Sequence, residues 1–127
     1  MKKVVNTSNA PAPIGPYNQA ILVKDTLYIS GQIPIDPATG KLVEGNIKGQ
    51  AEQCMLNLKA ILEEANMTFE NVVKTSIFLK DMQLFSKVNE VYGTYFNGDT
   101  APARETVEVA NLPLFVNVEI SMIAVKW

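Results

Sequence analysis

With 127 residues, 47% of them hydrophobic and 19% charged, the chain is long enough for one domain with a real core and too apolar for a disordered segment. A net charge of −2 without any basic run argues against a nucleic-acid footprint, and no apolar run approaches the length of a membrane span. Histidine is absent and cysteine occurs once, which excludes His-containing triads and dyads, His-based zinc sites and a disulfide framework.

Acid–base chemistry is therefore left to carboxylates, Tyr, Lys or ordered water. There is no P-loop and no GxGxxG, and Asp36-Pro37 and Asp99-Thr100 lack EF-hand spacing, so neither a phosphate cradle nor a metal site is expected. Met1-Lys2-Lys3 leads into Val4-Val5-Asn6, too short for a signal-peptide core, and a cytoplasmic protein is the expectation.

In chain order, Ala10–Pro16, with Pro11, Pro13 and Pro16 crowded together, reads as a stiff extended loop. Tyr17 stands where this loop meets the first strand, either capping the core or lining a pocket. Gln19–Val23 and Thr26–Ser30 are strands, and the two residues Lys24-Asp25 between them suggest a tight hairpin. Ser30-Gly31-Gln32 follows, and Gly31 permits unusual backbone angles or the close approach of another group. Ile33–Gly45 reads as an irregular loop with a turn at Ala38-Thr39-Gly40-Lys41.

Ile47–Ala65 is a helix, with Ala51, Cys54, Met55, Leu58, Ile61, Leu62 and Ala65 recurring at three and four. Asn46 is placed to cap its start and Asn66 its end. Cys54 falls on the apolar face, as a buried inert thiol would. Val72–Leu79 is a strand. Leu84–Asn97 is a second helix stopped by Gly98, its apolar arc formed by Leu84, Phe85, Val88, Val91, Tyr92, Tyr95 and Phe96. Asn89 reads by periodicity as a polar surface position.

Glu105–Ala110 and Val116–Val125 are strands separated by Asn111-Leu112-Pro113, and the pair reads as an antiparallel hairpin. Along the second, Val116, Val118, Ile120, Met122 and Ala124 share one face, and Asn117, Glu119, Ser121, Ile123 and Val125 the other. With the turn centred on Leu112-Pro113, Thr106 faces Glu119, and Arg104 is its diagonal neighbour on the same face. A one-residue slip reverses this. Two readings stay open for the charged pair. It is a structural ion pair, or a guanidinium that binds a carboxylate ligand beside a carboxylate that orients or deprotonates water.

The order β-β-α-β-α-β-β implies an α+β fold, a mixed sheet with two helices on one face. The last strand is apolar on both sides, yet two helices cover only one face. A partner subunit is the simplest cover for the other.

These motifs resemble the RidA (YjgF-type) enamine/imine deaminase family over essentially the whole chain, residues 1–127. The resemblance rests on Gly15-Pro16-Tyr17 with Gln19-Ala20, on Leu27-Tyr28-Ile29-Ser30-Gly31-Gln32, and on Pro102-Ala103-Arg104. It continues through Val107-Glu108-Val109-Ala110 with Leu112-Pro113, and Val118-Glu119-Ile120. It implies a chorismate-mutase-like fold, a homotrimer with pockets between subunits, and a cofactor-free, metal-free hydrolysis of 2-imino or enamine acids to 2-oxo acids and ammonia. It implies further that Arg104 binds the substrate carboxylate and that Glu119 places the attacking water. Tyr17, Ser30, Gly31 and Asn89 would line the pocket, with the backbone at Thr106 contacting the imine nitrogen or the water. The chain departs from the family in two places. Thr106 stands where many members have Cys, and Glu105 where a small or apolar residue is usual. Strand alternation points Glu105 away from Arg104 and Thr106. A non-catalytic trimer that binds small carboxylates or a protein partner is the competing reading. RNA cleavage is disfavoured by the acidic balance and the missing histidine.

Overall fold

The computed structural model describes residues 1–127. Its strands are β1 (Lys2–Val5), β2 (Ala20–Val23), β3 (Thr26–Gln32), β4 (Ile35–Asp36), β5 (Lys41–Leu42), β6 (Val72–Leu79), β7 (Ala103–Glu108) and β8 (Val118–Val125). Helix α1 (Ile47–Glu64) precedes β6, and α2 (Phe85–Gly93) lies between β6 and β7. The main sheet runs β1-β2-β3-β8-β6-β7, while β4 and β5 form a small separate hairpin. Only β6 and β7 pair in parallel, as a strand–helix–strand crossover requires. The expected mixed sheet with two helices on one face is what forms.

The two-sided apolar sequence of the last strand explains its place. β8 sits in the middle of the sheet, between β3 and β6. Val118, Ile120, Met122 and Ala124 are buried under the helices, and Glu119, Ser121, Ile123 and Val125 are half-exposed on the open face. Leu58, Ile61 and Leu62 of α1 are fully buried in one core with Leu27 of β3 and Ile120 of β8. Burying each such side chain contributes about 1.5–3 kcal/mol. Cys54 is in this core, where burial pushes its thiol pKa up and leaves it inert. No helix is long and apolar enough to cross a membrane.

Local signals act as the sequence predicts at α1. The Asn46 side chain accepts from the Gly49 N–H at 3.0 Å. Asn66 takes a left-handed φ of 59°, and the Met67 N–H returns to the Leu62 carbonyl at 2.9 Å. The two-residue connection Lys24-Asp25 is the expected tight turn, with Lys24 at φ 53°.

Four expectations are corrected. The expected element order lacks a first strand, because Lys2–Val5 adds an edge strand to β2. The loop at 33–45 contains the β4–β5 hairpin, closed by the expected turn. Helix α2 ends at Gly93 rather than Asn97. The Thr94 hydroxyl takes the Val91 carbonyl at 2.7 Å, and the Thr94 and Tyr95 N–H groups tighten to bonds three residues back. Most consequentially, β7 and β8 are not a hairpin. The residues after Leu112 form a 3-10 turn, Pro113–Phe115, with Leu114 and Phe115 at φ 54° and 56°. β6 lies between the two strands. Alternation decides which residues share a face, but not which strand lies alongside.

Candidate functional site

The register across β7, β6 and β8 places every charged residue of interest. Thr75 pairs with Arg104, Ile77 with Thr106, and Ser76 with Glu105. On the other side of β6, Phe78 pairs with Glu119. Thr75 and Ile77 are buried under the helices. Arg104 and Thr106 therefore lie on the helix side, and Glu105 and Glu119 on the open face. Arg104 and Glu119 are not the same-face neighbours expected from a hairpin. Two strand spacings and three residue positions separate their α-carbons by on the order of 14 Å.

Arg104 opens an edge strand that begins just after Pro102. Its guanidinium donates to Asn89 Oδ1 at 2.7 Å and lies 5.0 Å from the centre of the Tyr92 ring and 5.6 Å from that of Phe85. It joins neither of the two ion pairs in the chain, Lys48–Glu90 and Lys74–Glu105. Its charge is therefore held by an amide oxygen and two ring faces, and is uncompensated by any carboxylate. Asn89, a bland surface position by periodicity, is exposed but committed to Arg104. Thr106 stands two residues along the same face, and its buried hydroxyl has no hydrogen-bond partner.

The second group forms around the bulge in β3. Ile29 pairs with Met122 and Gln32 with Ile120, so Ser30 and Gly31 together oppose the single residue Ser121. The Ser30 hydroxyl donates to the Asn18 carbonyl at 2.7 Å. The Glu119 side chain crosses directly over Gly31. A Cβ there would stand 2.7 Å from both Cδ and Oε1 of Glu119, so the close approach needs glycine. Burial raises the Glu119 carboxyl pKa above its ordinary value.

Tyr17 and Gly31 line one small cleft with Ile14, Ile33 and Ile35. The Tyr17 hydroxyl accepts from the Ile14 N–H at 3.4 Å, and its ring remains half-exposed. The proline-rich loop that carries it is tied down by buried Gln19. That amide accepts from the Thr7 N–H at 2.7 Å and donates toward the carbonyls of Thr7, Ala10 and Pro11 at 2.9–3.2 Å.

Glu105 is on the face away from Arg104, as alternation predicts. It pairs with Lys74 Nζ at 2.8 Å and accepts from the Ser76 hydroxyl, and these two bonds hold its carboxyl below the ordinary range. It does not compete for the guanidinium.

One chain thus presents two groups, Arg104 with Asn89 and Thr106 on the helix side, and Glu119 with Gly31, near Ser30 and Tyr17. Sequence reasoning missed Phe85 and Tyr92 as neighbours of Arg104 and assigned them to the core arc. The available signal was the spacing of Phe85, Asn89 and Tyr92, which shares one helical face.

Known proteins resemble the chain over nearly its whole length. The family model described as endoribonuclease L-PSP matches residues 7–126. A RutC family protein of Pyrococcus horikoshii is 54% identical over 126 residues, covering 99% of each chain. The mouse 2-iminobutanoate/2-iminopropanoate deaminase is 50% identical over 126 residues, covering 99% of this chain and 93% of its own. The crystal structure of a Rid family protein of unknown function from Yersinia pestis superposes with a TM-score of 0.96 at 48% identity, covering 99% of this chain and all of the other.

Proposed function

This chain belongs to the Rid family, the group captured by the endoribonuclease L-PSP model, and we propose that it hydrolyses 2-imino and enamine acids such as 2-iminobutyrate and 2-aminoacrylate to 2-oxo acids and ammonia. One observation carries the reading. The sole arginine of the chain is held, uncompensated by any carboxylate, beside an unpartnered buried hydroxyl. A planar guanidinium in that state suits a bidentate carboxylate ligand. The half-identical mouse deaminase supports the same chemistry.

In this mechanism Arg104 takes the substrate carboxylate, and Glu119 handles the protons. Water oxygen adds to the imine carbon as the C=N electron pair moves to nitrogen. Glu119 takes the proton lost by the water and delivers one to the nitrogen, giving a carbinolamine. Collapse follows as the hydroxyl proton passes to Glu119, the nitrogen is protonated again, and the C–N bond breaks. The products are the 2-oxo acid and ammonia, and Glu119 ends as it began. A raised pKa suits a group that must both accept and return a proton near neutrality. The imine carbon is already electrophilic, so proximity and orientation supply the catalysis without a cofactor or metal.

Arg104 and Glu119 lie too far apart in one chain to touch one small substrate. We therefore assign each pocket to two subunits of a homotrimer, one contributing Arg104, Asn89 and Thr106, and the other Glu119, Gly31, Ser30 and Tyr17. The open sheet face supports association, since Tyr28 and Val107 are apolar and exposed on it. We take residues 1–127 as one such domain, acting in the cytoplasm.

The test generates 2-iminobutyrate in situ from threonine with a pyridoxal-phosphate dehydratase and follows its loss with and without this protein. Accelerated loss is expected. Arg104→Ala should cost on the order of 3–5 kcal/mol of transition-state stabilisation with little change in melting temperature. If 2-oxobutyrate binds yet imine loss is not accelerated, the protein is a carboxylate binder and not a deaminase.

A further inference from the structure

The Arg104 guanidinium touches three side chains of one helix. Phe85, Asn89 and Tyr92 are spaced at four and three along α2, so all three face the edge strand β7. Asn89 supplies one acceptor, which fixes one corner of the guanidinium plane. The two rings fix the rest, at 5.0 and 5.6 Å, within the range where a ring face attracts a cation. Tyr92 is itself immobilised. It is buried, and its hydroxyl donates at 3.0 Å to Oγ1 of Thr75, the residue that pairs with Arg104 across the sheet. The helix and the strand pair are thus linked on both sides of the cation.

We propose that Phe85 and Tyr92 are positioning residues whose ring faces clamp the Arg104 guanidinium in the orientation that receives a substrate carboxylate. The inference rests on Arg104 being the carboxylate anchor, as argued above. A long flexible cation that must be ordered at the moment of binding loses affinity to side-chain entropy, and one ordered beforehand does not. Ring faces can order it without neutralising it, which a carboxylate partner would do. The clamp therefore keeps the full charge available for the ligand.

The single arginine makes a direct experiment possible, because its Nε–H gives one unambiguous signal in a nitrogen-15 spectrum. In the wild type this signal should be displaced by ring currents, its Nη groups should rotate slowly, and it should move on titration with 2-oxobutyrate. Phe85→Leu should reduce the displacement to the share that Tyr92 supplies and speed the rotation. It should also weaken 2-oxobutyrate about fivefold, while binding of the uncharged 2-oxobutanamide is unaltered. Phe85→Tyr, which keeps the ring face, should restore both. A wild-type guanidinium that is unshifted and freely rotating overturns the clamp without any variant, as does a Phe85→Leu protein that retains the wild-type signal. If instead the clamp signature is present but 2-oxobutyrate never perturbs the arginine signal, the anchor reading fails and the proposed purpose of the clamp falls with it.

Discussion

Glu119 shows at the scale of one residue what half-burying a carboxylate does to stability. Its carboxylate is half-withdrawn from water across the backbone of Gly31, and burial raises its pKa. A carboxyl with a folded pKa above its unfolded value holds its proton more tightly in the native state. Its contribution therefore favours folding most at low pH and is lost as pH rises from the ordinary 4.5 through the raised folded value. Glu119→Gln should accordingly raise the melting temperature at pH 7 and leave it unchanged at about pH 3, where the wild-type carboxyl is protonated in both states. Turnover should fall about 10²–10⁴-fold, the usual scale for a lost acid–base group. Equal melting temperatures at pH 7 would show that the carboxylate carries no burial cost. Gly31→Ala probes the same contact from below. The new methyl meets the end of a flexible side chain, so the fold survives, but the carboxylate must move. Turnover should drop by about 10²-fold with a near-normal melting curve. An active Gly31→Ala would mean that the position of Glu119 over the bulge is immaterial.

At the scale of elements, what the sequence discloses is what is local. The two helices and most strands of the main sheet are legible because apolar residues recur at three and four or at two, with Asn46 and Asn66 marking the ends of α1. Strand alternation also succeeds at Glu105, whose bonds to Lys74 and Ser76 place it on the open face. Glu105→Ser should therefore leave the affinity for 2-oxobutyrate unchanged in a calorimetric titration and alter only melting or subunit association. A tenfold tighter complex would place the carboxylate near Arg104 after all. The sheet order is not local, and there the reading fails. Nothing in Glu105–Ala110 or Val116–Val125 announces that β6 will lie between them, and the register through β6 aligns Thr106 with Ile120 rather than Glu119, which puts the supposed same-face pair on opposite faces. The partners of Arg104 were hidden for a similar reason. Phe85 and Tyr92 fit an apolar arc, and only the docking of α2 beside β7 shows that part of this arc holds a cation. The resemblance to the Rid family named Arg104, Asn89 and Glu119 together, which periodicity could not do.

At the scale of the whole molecule the proposed pocket needs those separated groups to meet, and a mixing experiment decides whether they do so between subunits. Arg104→Ala and Glu119→Gln should each be nearly inactive alone. In a cyclic trimer every pocket takes Arg104 from one subunit and Glu119 from its neighbour. When the two variants are co-refolded in equal amounts, some pockets draw Arg104 from a Glu119→Gln subunit and Glu119 from an Arg104→Ala subunit. Such a pocket has both groups intact. Each of its two positions is filled correctly half the time, so about one quarter of wild-type turnover should return. Pockets built within one chain would give none, because every chain lacks one group. Native mass spectrometry of the mixture supplies the control by showing that mixed trimers have formed. Mixed trimers without recovered activity would place Arg104 and Glu119 in one chain's own site and would require a rearrangement of β7 relative to β8. Recovery near a quarter would instead explain why β8 is apolar on both faces. In that outcome one face builds the core under the helices, and the other is what brings Glu119 of one copy to Arg104 of the next.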